Sequence, residues 1–151
     1  MKTIGRAGIA MLLIALAVVS THCAKDKPGR APADVSKIEN NAVVVSTLWL
    51  QLVDEKEYGR SWDETADFFK RSVPRERWIG LMSSSRKPFG AVLIRALDSR
   101  KYVTSLPGAP DGEYVVITYR TKFKNKKDSV ETVTPMKDRD GKWRVSGYYV
   151  K

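Results

Sequence analysis

Leu106-Pro107-Gly108-Ala109-Pro110-Asp111-Gly112-Glu113-Tyr114, two alternating runs, and then Asp140-Gly141-Lys142-Trp143-Arg144-Val145-Ser146-Gly147-Tyr148-Tyr149 decide the fold class. Pro and Gly punctuate this stretch, and between the breaks apolar residues recur at every second position, which is strand spacing. From Glu113 to Phe123, Val115, Ile117, Tyr119, Thr121 and Phe123 fall on one face, and Tyr114, Val116, Thr118, Arg120 and Lys122 on the other. Lys124-Asn125-Lys126-Lys127-Asp128 reads as a turn, Ser129 to Met136 as the next strand, Asp138 to Gly141 as a further turn, and Lys142 to Val150 as the last strand. Pro135 lacks a ladder donor and argues for an edge or an end. Upstream, Ala91 to Val103 is a long strand whose mixed faces fit a bulge. Short connections make these strands antiparallel neighbours.

Before Gly90 the apolar period is near 3.6. Ile38, Ala42, Val45, Trp49 and Leu52 fall on one face, so the spacing predicts a helix from Ser36 to about Val53. Ser36 and Glu39 have capping-box spacing at its start. Ser61-Trp62-Asp63-Glu64 repeats that spacing and predicts a second helix to about Arg71, with Trp62, Thr65, Phe68 and Phe69 inward and Tyr58 in the preceding turn or at its start. Pro74 suits a third helical start, with Trp78, Leu81 and Met82 as its apolar stripe and an end near Ser85. About three helices followed by a curled four-stranded antiparallel meander is an α+β fold, with the first helix lying across one sheet face.

The 151 residues allow one domain, expected over 35–151, after a Pro/Gly-containing linker at 25–34. Residues 1–24 have the layout of a secretory signal: Lys2 and Arg6, the apolar run Ile9 to Val19, then Ser20-Thr21-His22-Cys23-Ala24. The apolar run is shorter than the roughly 20 residues a spanning helix needs. Cys23 is a candidate acylation site, but His22 occupies the place of the small residue such processing prefers. The expected protein is therefore exported to the periplasm or secreted, with a lipid anchor at Cys23 as the alternative. His22 and Cys23 are the only histidine and cysteine. Removing the signal leaves a domain without either, which excludes His/Cys zinc sites and histidine-based nucleophilic catalysis. Neither a metal site nor a cofactor is expected. The net charge of +10 fits an anionic envelope surface as partner, with plain solubility the stronger reading. Among the lysines at the 122–127 turn the one aromatic is Phe123, which falls on the opposite strand face from Lys122 and so is not a stacking partner beside them; that argues against nucleic acid.

The residues from Trp49 to Tyr149 resemble the exported bacterial proteins that carry the domain of unknown function numbered 4019. The matching stretches are Trp49-Leu50-x-Leu52-Val53-Asp54, Tyr58-x-x-Ser61-Trp62, Arg86-x-Pro88-x-Gly90, Leu106 to Tyr114, Glu131-Thr132-Val133, and Asp140-Gly141-x-Trp143-x-Val145-x-Gly147-Tyr148. The resemblance implies a short exported protein and supplies no catalytic residues. At fold level the order of elements is similar to the cystatin-like or nuclear-transport-factor-like cone, whose members include isomerases, binding domains and dimerisation modules.

Two sets of residues could carry function. Trp49, Tyr58, Trp62, Trp78, Tyr114, Trp143 and Tyr148 could line a pocket for a small apolar ligand, with Arg86 hydrogen-bonding a loop or an internal carboxylate. Core packing is the stronger reading for the aromatics. Glu131 or Asp63 with Tyr119 could form an acid–base pair, although an exposed or ion-paired Glu131 is the simpler expectation. The function expected is a non-enzymatic domain binding a ligand or envelope partner between the first helix and the concave sheet face. A small isomerase-like enzyme and a dimerisation module are the alternatives, and the oligomeric state stays open.

Overall fold

The computed structural model describes residues 30–151. The signal segment, Cys23 and nearly all of the expected linker lie outside the described residues. Within them the order is α1 (Pro32–Asp54), α2 (Tyr58–Asp63), α3 (Asp67–Ser72), α4 (Arg75–Arg86), β1 (Val92–Val103), β2 (Tyr114–Phe123), β3 (Ser129–Lys137) and β4 (Trp143–Val150). The strands form one antiparallel sheet in the order β1-β2-β3-β4. The α+β class and the meander are as the alternation predicts. α1 crosses the sheet and touches all four strands.

Helix boundaries depart from the reading of local signals in two places. α1 begins at Pro32, about one turn before the Ser36 capping box, which does not form. Proline at the first position loses no intrahelical bond and is already in helical φ, so it starts the helix instead. Glu39 is thereby free to reach β1, where it accepts from the Tyr102 N–H at 2.9 Å and faces Arg100 at 3.6 Å. The expected second helix is broken between Asp63 and Asp67. Thr65 bridges to Val145, and the Ala66 N–H donates to the Val145 carbonyl at 2.8 Å. Asp138 then caps α3 from a distance, accepting from the Asp67 N–H at 3.1 Å. Pairing with β4 outweighs the propensity to continue the helix.

The core explains why these elements stay together. Ala42, Trp49, Leu50 and Val53 of α1 pack with Val115, Ile117, Tyr119, Val133 and Val145 of the sheet and with Trp78 and Met82 of α4. Each large side chain so buried contributes roughly 1.5–3 kcal/mol. These side chains fill the space between α1 and the sheet. Of the expected apolar positions, Val45 and Leu52 flank the buried stripe, while Leu81 is 50% exposed. A smaller cluster of Tyr114, Ala66 and Met136 lies on the other sheet face under the 106–112 loop, where the Tyr114 hydroxyl donates to the Pro110 carbonyl at 2.6 Å. β1 carries the expected irregularities, with register shifts between Val92 and Ile94 and between Leu97 and Ser99. Pro135 lies in an interior strand, contrary to the edge expectation. It is accommodated because the β3–β4 register shifts between Thr134 and Pro135, a bulge where the missing donor breaks no regular ladder bond.

Candidate functional site

Polar side chains converge where the C-termini of α1 and α4 meet the sheet. Arg95 of β1 forks onto two carboxylates. Its NH1 and NH2 groups donate to Asp54 at 2.7 and 3.0 Å, and its Nε and NH2 donate to Glu131 at 2.7 and 3.2 Å. Arg86, the last residue of α4, bridges the same pair, reaching Asp54 at 2.7 Å and Glu131 at 3.3 Å. Thr121 of β2 donates to Glu131 at 2.6 Å, and the Tyr148 hydroxyl of β4 donates to it at 2.7 Å. Each strand thus supplies one side chain, and α1 and α4 supply the other two. Two arginines and two carboxylates make the cluster neutral.

Burial decides its character. Glu131 is 0% exposed and the Arg86 side chain 5%. Burial alone would push the Glu131 carboxyl up, but the Arg95 hydrogen bonds and charge, with Thr121 and Tyr148, outweigh it and hold the group below the usual carboxylate range. Burial raises the Tyr148 hydroxyl, and the Glu131 charge raises it further, so it stays protonated and donates. Burial disfavours the Arg95 charge, and the bonds to Asp54 and Glu131 more than restore it. The Arg86 guanidinium also lies 4.6 Å from the Phe123 ring centroid, a favourable cation–π placement. Asp54 ends a helix with no basic residue in its last turn. A carboxylate there opposes the helix dipole, and the two arginines compensate it.

A cavity of about 410 Å³ opens beside this cluster, lined by Val53, Asp54, Lys56, Tyr58, Ser83, Arg86, Lys87, Gly90, Ala91 and Val92. One wall is the loop after α4, held by the β2–β3 turn: the Lys124 N–H donates to Ala91 at 2.8 Å and the Asn125 N–H to Phe89 at 3.0 Å. Gly90 has φ +74°, and a Cβ there would meet the Asn125 amide at 3.0 Å and the Lys124 Cβ at 3.2 Å. Only glycine suits both the backbone and the contact. The opposite wall is the turn after α1, which carries Lys56, and Tyr58 at the start of α2.

The sequence candidates divide cleanly. Arg86, Glu131 and Tyr148 are brought into direct hydrogen bonding, and Tyr58 lines the adjoining cavity. Glu131 is buried and ion-paired rather than exposed. Tyr119 faces inward beside it but directs its hydroxyl to Ser46 at 3.1 Å, away from Glu131. Asp63 is half-exposed and pairs with Arg75 at 3.2 Å, remote from the cluster. Trp49 and Trp78 are core: both indole N–H groups donate to Ser61, at 2.7 and 3.0 Å, and their rings lie 6.0 Å apart. Trp62 donates to the Val73 carbonyl at 2.7 Å, Tyr114 belongs to the second cluster, and Trp143 packs at the core edge. None of Trp49, Trp62, Trp78, Tyr114 or Trp143 lines the cavity.

Asp54, Arg95 and Thr121 were not singled out from the sequence. Arg95 interrupts an apolar run, Val92-Leu93-Ile94-Arg95-Ala96-Leu97, and that interruption is the signal that could have marked it. Among the described residues no three His, Cys, Asp or Glu side chains converge as metal ligands, and no helix is long and apolar enough to cross a membrane. A family model described as a protein of unknown function, DUF4019, matches residues 45–148, most of the chain, and the chain belongs to that family. No curated protein matches it.

Proposed function

We propose that this DUF4019 protein is an exported, non-enzymatic binding domain of the cell envelope, and that its ligand site is the cavity between Lys56, Tyr58 and Lys87. The observation that carries the reading is the contrast of that cavity with its floor. The floor charges are already paired, whereas the rim holds two lysines, a serine and a tyrosine beside apolar Val53, Ala91 and Val92. Pockets of about this size with a few polar groups on apolar walls are the usual form of small-molecule sites. Export rests on the charged, apolar and small-residue order of the first 24 residues.

An isomerase-like reading draws less support. A general base needs a carboxyl poised near the working pH, and Glu131 is held below the usual range by its arginine partner. The proposed site also differs from the sequence expectation of a pocket between the first helix and the concave sheet face. It lies at the helix ends, since core side chains occupy the space under α1.

The test is native mass spectrometry of the processed protein recovered from its host's envelope. A reproducible extra mass, lost on replacing Tyr58 and Lys87 together, supports the reading. A bare mass at full expression, or an adduct indifferent to both residues, overturns it. Incorporation of labelled fatty acid, absent in Cys23→Ser, would make the export route that of a lipoprotein.

A further inference from the structure

The turn after α1 holds a residue its backbone does not favour. The Glu57 N–H donates to the Leu52 carbonyl at 2.8 Å and the Lys56 N–H to the Val53 carbonyl at 3.1 Å. That pair of bonds is the Schellman ending, and its left-handed position is ordinarily glycine. Here Lys56 occupies it with φ 65°, the single non-glycine residue with positive φ among the described residues. Its Cβ pays a steric penalty that glycine would avoid, and the residue lines the cavity.

A second observation is independent of the first. Tyr58 is 9% exposed and lines the same cavity, and its hydroxyl makes no hydrogen bond among the described residues. The other buried tyrosines have partners, Tyr114 donating to Pro110 and Tyr119 to Ser46, as does the half-buried Tyr148, which donates to Glu131. The Tyr58 hydroxyl oxygen is not among the enclosed side-chain atoms that lack a partner; it reaches the open space of the cavity, where it can donate to a ligand or to water.

Charge then selects the ligand class. Asp54 is neutralised by both arginines, and the Arg86 and Arg95 forks are committed to carboxylates. Lys56 and Lys87 remain, without an ion-pair partner among the described residues. Lysines act as rotatable point charges and do not supply the planar fork that selects carboxylates. Two of them match a phosphate monoester, which carries about −1.5 to −2 at pH 7. The apolar walls of Val53, Ala91 and Val92 would take a short apolar body.

We infer that the cavity binds a phosphate monoester with a short apolar body, its head group facing Lys56, Lys87 and the Tyr58 hydroxyl. This rests on the reading of the cavity as the ligand site. It gives the left-handed lysine a role: its charge faces the head group although the backbone there favours glycine. The same head group could come from a soluble ester or from phosphatidic acid at a membrane surface.

The experiment is calorimetric titration with hexyl phosphate, and with hexanol as the neutral counterpart, alongside co-sedimentation with phosphatidic acid vesicles. Wild type is expected to bind hexyl phosphate saturably and more tightly than hexanol. Lys56→Gly should weaken that binding about tenfold or more, while its Tm rises by about 4 °C because the turn relaxes. Lys87→Gln should weaken binding without the rise. Lysine-dependent sedimentation in the absence of hexyl phosphate binding also supports the phosphate head and assigns it to a lipid. Equal affinity for hexanol and hexyl phosphate, unchanged binding in both lysine variants, or no binding in either arm would overturn the proposal. A host-derived adduct that contains no phosphorus would overturn it too, while leaving the cavity reading standing.

Discussion

The floor and the rim of the cavity are built from the same kinds of residue and behave oppositely. On the floor, Asp54 and Arg86 line the cavity, and with Arg95, Glu131 and the Tyr148 hydroxyl behind them they close on one another within 2.7–3.4 Å. On the rim, Lys56, Lys87 and the Tyr58 hydroxyl have no such partners among the described residues. The difference teaches where charge serves the fold and where it is left for something else. Buried charges that satisfy one another tie helices to strands. Cations at the edge of a cavity add little to folding and remain available.

Removing the centre of the floor should have the largest effect. Glu131→Ala leaves two guanidinium groups facing a site with one carboxylate, and breaking a buried pair this way costs about 3–5 kcal/mol. Urea denaturation would measure it. A loss below about 1 kcal/mol would mean that the floor behaves like a surface pair and that the comparison fails.

Acid titrates the same contrast. The Glu131 carboxyl lies below its ordinary value, so its ion pairing adds stability above the unfolded value of about 4.3, and that stability disappears as pH falls through the folded value. Glu131→Gln should therefore be much weaker than wild type at neutral pH, and the gap should close under acid. Glu113, also held low by Lys137 and Arg30 against its own burial, titrates in the same direction in both proteins and cancels. Urea midpoints for the pair, followed from about pH 7 to about pH 3, would check this; a constant gap would count against the assignment.

Tyr148→Phe is the next smaller step. It removes the donor to Glu131 at 2.7 Å and the acceptor of a long Arg86 bond at 3.4 Å, and leaves the ion pairs of the cluster in place. A hydrogen bond to a charged group contributes about 1.5–3 kcal/mol, and the Trp49 ring 5.4 Å away still packs on the phenylalanine.

How far the sequence carries this contrast follows from what each signal depends on. Period 2 is a local property enforced by the pleat, so β2 and its inward face could be read directly, from Val115 to Phe123. The break at Glu64–Ala66 could not, because it is made by Val145, which is far away in the chain. The floor was half legible. Arg86, Glu131 and Tyr148 stood out by type and position, but their meeting depends on the diagonal register of four strands and on where α4 stops. Arg95 was hidden by a long strand with two register shifts, which obscure its face. Trp49 and Trp78 lie in the core because burying their large rings is favourable, and Ser61 satisfies both indole N–H groups there. Of the rim, only Tyr58 was legible, by its aromatic type; Lys56 was not, since a left-handed lysine leaves no mark in the sequence.

The smallest expected effect gives the sharpest comparison, because it sets two tyrosines of the same region side by side. Tyr58→Phe should change stability by no more than about 0.5 kcal/mol, although the residue is as deeply placed as many core side chains. The ring is retained, so the apolar contacts survive, and the deleted hydroxyl had no protein acceptor to lose. Burial raises that hydroxyl above its ordinary value, so it is a neutral donor throughout the physiological range and its removal brings no pH dependence. Paired urea melts of Tyr58→Phe and Tyr148→Phe would read the difference directly. Equal losses would mean that the Tyr58 hydroxyl is held as firmly as that of Tyr148, and the rim would then belong to the fold. A loss confined to Tyr148→Phe would leave Tyr58 as a donor whose acceptor comes from outside the chain.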